Sequence, residues 1–240
     1  MKLIAKHISK AYADQAVLND LSFEIESGKT LAVLGRSGCG KTTLLKILAG
    51  LEESEKGAVL LGEKDVTAIS PNQRNMVYAY QEAMLFPHMT VFENIAFGLR
   101  IRKFNKNEIR NRVEAMLEEI GLANMGERRP HELSGGQAQR VAFGRALIIQ
   151  PDVLLLDEPF GKLDVETRAH MQDFYKEVTH SRQITALFVT HDLKEALRLG
   201  DSLAYMENGS LTTFSDKKAF LHDPRTGAMA EKAFWENLPK

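Results

Sequence analysis

Three short runs of apolar residues stand out, each ending on glycine or on charged residues: "KTLAVLG" (29–35), "DVLLLDEP" (152–159) and "ITALFVTHD" (184–192). Continuous apolar stretches of this length, rich in Val, Leu and Ile, predict strands buried on both faces. The first runs through a glycine-rich turn into "KTTLLKILAGL", which is apolar at helical spacing. Strands that alternate with helices predict a parallel α/β sheet. Such sheets bind ligands at the carboxyl ends of their strands, where the polar residues of these runs fall. Residues 1 to about 28 instead alternate ("LIAKHISKAY", "LSFEIESG"), the pattern of antiparallel strands. From about Glu82 to Gln150 the pattern is helical, with no convincing buried strand. One helix starts at Asn105, an N-cap with Glu108 three residues on, and stops at Gly121; Ile109, Val113, Met116, Leu117 and Ile120 line one face. The last 25 or so residues read as mostly helical. The pattern thus predicts an α/β core with antiparallel β over 1–82 and 151–215, a helical insert over 83–150, and a helical tail over 216–240.

Composition narrows the function. Of 240 residues, 31 are Lys or Arg and 32 Asp or Glu. The resulting net charge of -1 gives no electrostatic reason to expect nucleic acid as a partner. The single cysteine, Cys39, excludes an internal disulfide and fits a reducing compartment. The N-terminus lacks the apolar core of a secretory signal, and no apolar run is long enough to span a bilayer. Any membrane role is expected to come through a partner.

The candidate chemistry sits at the predicted strand ends. "GRSGCGKT" spells a phosphate-binding loop: Gly35, Arg36, Ser37, Gly38, Cys39, Gly40, Lys41 and Thr42. Its glycines let backbone N–H groups turn toward a β-phosphate. Lys41 can reach the β- and γ-phosphates, the Thr42 hydroxyl can ligate Mg²⁺, and Thr43 opens the following helix. Such a loop needs a metal carboxylate across the sheet. Asp157 supplies it, and Glu158 beside it is the candidate base that polarises an attacking water. His191, at the end of another strand, can hydrogen-bond the γ-phosphate. A second helix start, "LSGGQ" (133–137), presents Ser134, Gly135, Gly136 and Gln137 as another anion-binding N-terminus.

With the phosphate loop before it and "VLLLDEP" after it, "LSGGQ" gives nearly the whole chain a resemblance to the nucleotide-binding subunits of ABC transporters. The resemblance implies a RecA-like P-loop NTPase core, an antiparallel β-subdomain and an inserted α-helical subdomain. It implies ATP and Mg²⁺ as cofactors and a head-to-tail dimer of two copies. It makes Tyr12 the aromatic that stacks on adenine, Gln81 a contact of Mg²⁺ and the lytic water, and Ser134 to Gln137 the signature that grips the γ-phosphate of the other copy's ATP. Asp164 becomes the link between the two sites, and His191 the switch histidine. Lys162, where a small residue is usual, and Arg36, where proline is common, depart from the pattern without touching a catalytic position. "QEAMLFPHMTVFENIAFGLRIRK" (81–103) resembles the stretch that, in bacterial importers, receives a short helix of the membrane subunit. Met84, Phe86, Met89 and Phe92 are expected to be exposed there, with some alternatively serving the helical core. The basic residues from Arg100 to Arg112 are read first as a solvated helix surface. "DEPFGKLDVETR" resembles the sulfate, nitrate and sulfonate branches, with ferric iron, polyamine and thiamine as alternatives. The implied partners are transmembrane permease subunits and, through them, a solute-binding protein. The implied place is cytoplasmic, on the inner face of the cell membrane. Regulation through a C-terminal domain is not expected. DNA-repair and translation forms lack support in the short insert and single cassette, and a module without turnover is disfavoured by Glu158 and His191.

Overall fold

A computed structural model describes residues 1–13, 15–161 and 163–236. Among the described residues, ten strands and eight α-helices follow one another: β1 (Leu3–Tyr12), β2 (Gln15–Ile25), β3 (Thr30–Gly35), α1 (Lys41–Ala49), β4 (Lys56–Leu61), β5 (Lys64–Asp65), β6 (Met76–Ala79), α2 (Val91–Ile101), α3 (Lys106–Glu119), α4 (Gly135–Leu147), β7 (Val153–Asp157), α5 (Val165–Ser181), β8 (Thr185–Thr190), α6 (Leu193–Leu199), β9 (Ser202–Glu207), β10 (Ser210–Phe214), α7 (Lys217–His222) and α8 (Ala228–Glu236).

The strands form two sheets. A four-stranded antiparallel sheet has the order β2-β1-β4-β5, and a six-stranded sheet the order β10-β9-β3-β8-β7-β6. In the larger sheet all pairs are parallel except β9 with β10. Every residue of β3, β7 and β8 is buried. The reason is the two-residue period of a strand, which sends successive side chains to opposite faces. Leu154, Leu156, Ala186 and Phe188 enter a core shared with α2, α3, α4 and α5. Val153, Leu155, Leu187 and Val189 enter a second core, shared with α1 and the antiparallel sheet. The α/β fold class expected from the sequence is the one observed, and it brings the ends of β3, β6, β7 and β8 to one edge.

The region after Gln81 differs from the sequence reading. The sequence pattern predicts helices from about residue 82, but 82–90 is irregular and α2 begins only at Val91. Thr90 caps α2 in a reciprocal capping box with Glu93. Fully buried Asn94 holds the loop in place: Oδ1 accepts from the Phe86 N–H at 2.8 Å, and Nδ2 donates to the carbonyls of Phe86, Met89 and Thr90. A helix through this loop would pair these backbone groups internally and leave the buried Asn94 amide without partners. α3 begins at Asn105, whose side chain accepts from the Glu108 N–H at 2.8 Å. The five apolar residues expected on one face are all buried.

Candidate functional site

The phosphate loop joins β3 to α1. At Gly40 φ is 106°, and a Cβ would come within 2.8 Å of both Leu18 and the Val17 carbonyl. Only glycine fits that turn without displacing β2. The start of α1 has no side-chain cap, so its first N–H groups face the cleft free to meet an anion. Lys41, 6% exposed, donates to the carbonyls of Gly35 at 2.7 Å and Arg36 at 2.9 Å. Cys39, within the loop, is half-buried, and that burial pushes its thiol up against the opposing pull of the Lys41 charge.

At the end of β7, Asp157 is buried. Its Oδ2 accepts two hydroxyls, from Thr42 at 2.9 Å and from Tyr78 at 2.9 Å. Sequence reasoning missed Tyr78, because a tyrosine three positions before Gln81 carries no spacing signal. The hydrogen bond becomes visible only once β6 lies parallel beside β7. Burial first, then the Asp157 charge, pushes the Tyr78 phenol far up, so it stays a donor.

Glu158 follows, with φ at 46°. That left-handed conformation costs a non-glycine residue on the order of 1 kcal/mol. It is held by the Glu158 N–H donating to the Val189 carbonyl at 3.0 Å. Both carboxylate oxygens are engaged: Gln81 Nε2 donates to Oε2 at 3.0 Å, and His191 Nδ1 lies 3.1 Å from Oε1. Behind His191, the buried Glu195 accepts the Thr190 hydroxyl at 2.8 Å, fixing the turn that carries the histidine.

Lys41, Thr42, Gln81, Asp157, Glu158 and His191 line one cleft of about 470 Å³, together with Ser37, Gly38, Gly40, Thr43, Val17 and Tyr12. Tyr12 is 44% exposed, and the Lys10 ammonium sits 5.2 Å from its ring centre. Thus Tyr12, Lys41, Thr42, Gln81, Asp157, Glu158 and His191 converge. Ser134, Gly135, Gly136, Gln137 and Asp164 do not line this cleft. Ser134 caps α4 with Gln137 in a reciprocal box, a Cβ on Gly135 would meet nothing within 4 Å, and Asp164 caps α5 by accepting from the Thr167 N–H at 3.0 Å. Gln81 is placed on Glu158, where the resemblance also implied a metal contact. Lys162 lies outside the described residues.

The ABC transporter family model matches residues 18–161. The chain belongs to that family. The match contains the phosphate loop, Gln81, the signature and both carboxylates, whereas Tyr12, Asp164 and His191 lie outside it. The chain is 43% identical over 218 residues to a spermidine/putrescine import ATP-binding protein of Vibrio cholerae, covering 91% of this chain and 58% of that one. It is 45% identical over 215 residues to a sulfate/thiosulfate import ATP-binding protein of Xanthomonas campestris, covering 88% and 63%. It is 42% identical over 226 residues to a ferric-ion import ATP-binding protein of Brucella melitensis, covering 94% and 64%. The chain therefore spans about 60% of the length of these ABC relatives. Among solved structures, the ATP-binding cassette MJ0796, in a dimeric post-hydrolysis state with ADP and Pi, matches with a TM-score of 0.80 at 27% identity, covering 89% of this chain and 99% of that one.

A second cleft, about 610 Å³, runs along the free edge of β6. Met84 and Phe86 line it, with Phe97, Ile101 and Arg145. Arg145, from the helix that the signature opens, donates to the Met84 carbonyl at 3.1 Å and stacks 5.2 Å from the Phe86 ring centre. The expectation that four residues are exposed here needs correction. Only Met84 is exposed; Phe86 and Met89 are half-buried, Phe86 against Phe97 and Arg145, and Phe92 packs against the helical core. Arg110 and Arg112 pair with Glu114 and Glu108 on their own helix, and Arg100 lies 3.8 Å from Glu93.

Proposed function

We propose that the chain binds and hydrolyses ATP to ADP and phosphate, as the ATP-binding subunit of an ABC importer. The observation that carries this reading is Glu158, clasped between Gln81 and His191 beside Asp157 and Thr42, in the cleft that the phosphate loop opens.

In this reading Tyr12 offers its ring to adenine. The loop N–H groups and Lys41 take the β- and γ-phosphates once the Lys41 ammonium leaves its own loop carbonyls. The donor set of Thr42 and Asp157, hard oxygens with no cation paired to the buried carboxylate among the described residues, fits Mg²⁺. No group of three or more His, Cys, Asp or Glu among the described residues could hold a metal. Magnesium shared with phosphate oxygens and water needs no such cage, and it would neutralise charge on the transferred phosphoryl group. Glu158 accepts the proton of the attacking water; Gln81 and His191 orient its carboxylate and report on the γ-phosphate.

Ser134, Gly135, Gly136 and Asp164 belong, in this reading, to the site of a second copy. Two chains pair head to tail, each signature capping the ATP held by the other's loop. The solved dimeric relative supports the pairing. Permease subunits would dock in the groove beside β6, and the protein would sit peripherally on the cytoplasmic face; no described helix is long and apolar enough to cross a membrane. Relatives at 42% to 45% identity are named for a polyamine, an oxyanion and ferric iron, so solute choice belongs to the permease and its binding protein. The oxyanion or sulfonate reading rests on "DEPFGKLDVETR".

Replacing the base tests the reading. Glu158→Gln should retain ATP binding and lower kcat by about 10²–10⁴-fold, the usual contribution of a positioned general base. Hydrolysis at the wild-type rate would remove Glu158 from that role.

A further inference from the structure

We infer that Tyr78 is a positioning residue for the metal carboxylate: its hydroxyl, with that of Thr42, ties down Oδ2 of Asp157 so that Oδ1 is presented to the nucleotide-bound cation. The inference rests on the ATPase reading above and adds a residue that neither the phosphate loop nor the carboxylate run contains.

Three observations carry it. The two hydroxyls converge on the same oxygen, each at 2.9 Å, from different elements: Thr42 from α1 and Tyr78 from β6. No donor among the described residues reaches Oδ1. A buried carboxylate held by one hydroxyl could still turn about its Cβ–Cγ bond, because that terminal torsion is broad. Two donors from separate elements hold it in one orientation. Secondly, Thr42 is the weaker guarantor of the pair. The Thr42 hydroxyl would also give a lone pair to a cation, whereas the Tyr78 hydroxyl serves Asp157 alone among the described residues. Thirdly, Tyr78 is itself held. Its ring lies 4.3 Å from that of Tyr80, centre to centre, and packs on the core under the phosphate loop. Its backbone is fixed by the parallel ladder that sets Tyr78 opposite Leu155.

Tyr78→Phe removes the hydroxyl and keeps the ring. Binding of Mn²⁺, read by electron paramagnetic resonance in the presence of a non-hydrolysable ATP analogue, should weaken about tenfold, the scale of one hydrogen bond to a charged acceptor. Binding of a fluorescent ATP analogue in EDTA should change less than about twofold, and the melting temperature should shift by only a few degrees. Unchanged Mn²⁺ affinity overturns the inference. So does metal-free nucleotide binding that weakens as much as Mn²⁺ binding, since that pattern marks a merely structural role. Asp157→Asn serves as the reference. If it weakens Mn²⁺ binding while Tyr78→Phe does not, only Tyr78 is wrong; if neither matters, the assignment of Asp157 falls with it.

Discussion

Glu158 shows how the chain concentrates strain and hydrogen bonding at one position. Its left-handed backbone turns the carboxylate back between Gln81 and His191, rather than letting β7 run on into solvent. The turn that carries His191 depends in turn on Glu195. Burial pushes the Glu195 carboxyl above its ordinary 4.5, against the pull of the Thr190 hydrogen bond. The folded protein therefore holds this proton more tightly than the unfolded chain. The stability it brings is fully present below pH 4.5 and is lost as pH rises through the folded value. Glu195→Gln has no proton to lose, so its melting temperature relative to wild type should climb as pH rises above 4.5 through the folded value. A constant difference across a melting series in pH would show that folding does not raise the Glu195 carboxyl.

Among the elements, the loop from Gln81 to Thr90 and helix α4 form a mechanical pair. Arg145 of α4 grips the loop at Met84 and Phe86, and Asn94 of α2 stitches its other end. The signature therefore opens a helix that also touches the loop leading from Gln81 to the groove. Asn94→Leu keeps the volume but leaves the half-buried Phe86 N–H and Met89 carbonyl without their partner, while the Phe86 carbonyl keeps the Met89 N–H and the Thr90 carbonyl keeps the N–H of residue 94. It should cost roughly 2–4 kcal/mol in urea denaturation and speed amide exchange at Phe86. A cost below about 0.5 kcal/mol, the level of a neutral surface change, would show the loop to be held elsewhere. Neither Asn94 nor Arg145 is legible in the sequence as a structural clamp. An asparagine inside an apolar helix looks like an interruption, and its partners lie in a loop that carries no periodic pattern. The strands β3, β7 and β8 are legible because burial on both faces leaves a continuous apolar run. β6 is short, half-buried and at the sheet edge, so its pattern is lost, and with it Tyr78.

Across the whole molecule, the cleft gathers the loop, the carboxylates, Gln81 and His191 but leaves the signature and Asp164 outside it. The motifs themselves were legible because glycine, lysine and carboxylates at strand ends have few other uses; that they divide between two places is a matter of tertiary arrangement. The shared-site account explains the division with a second copy. Gly135 offers a clean probe, since a side chain there meets nothing in its own chain and a carboxylate at a helix N-terminus does not disfavour the helix. In a Glu158→Gln background, where ATP is bound but not turned over, sedimentation with and without ATP should show a monomer converting to a dimer. Adding Gly135→Asp should leave the monomer binding ATP with unchanged affinity and abolish the dimer. A double variant that still dimerises on ATP, or a monomer that no longer binds it, would contradict the account.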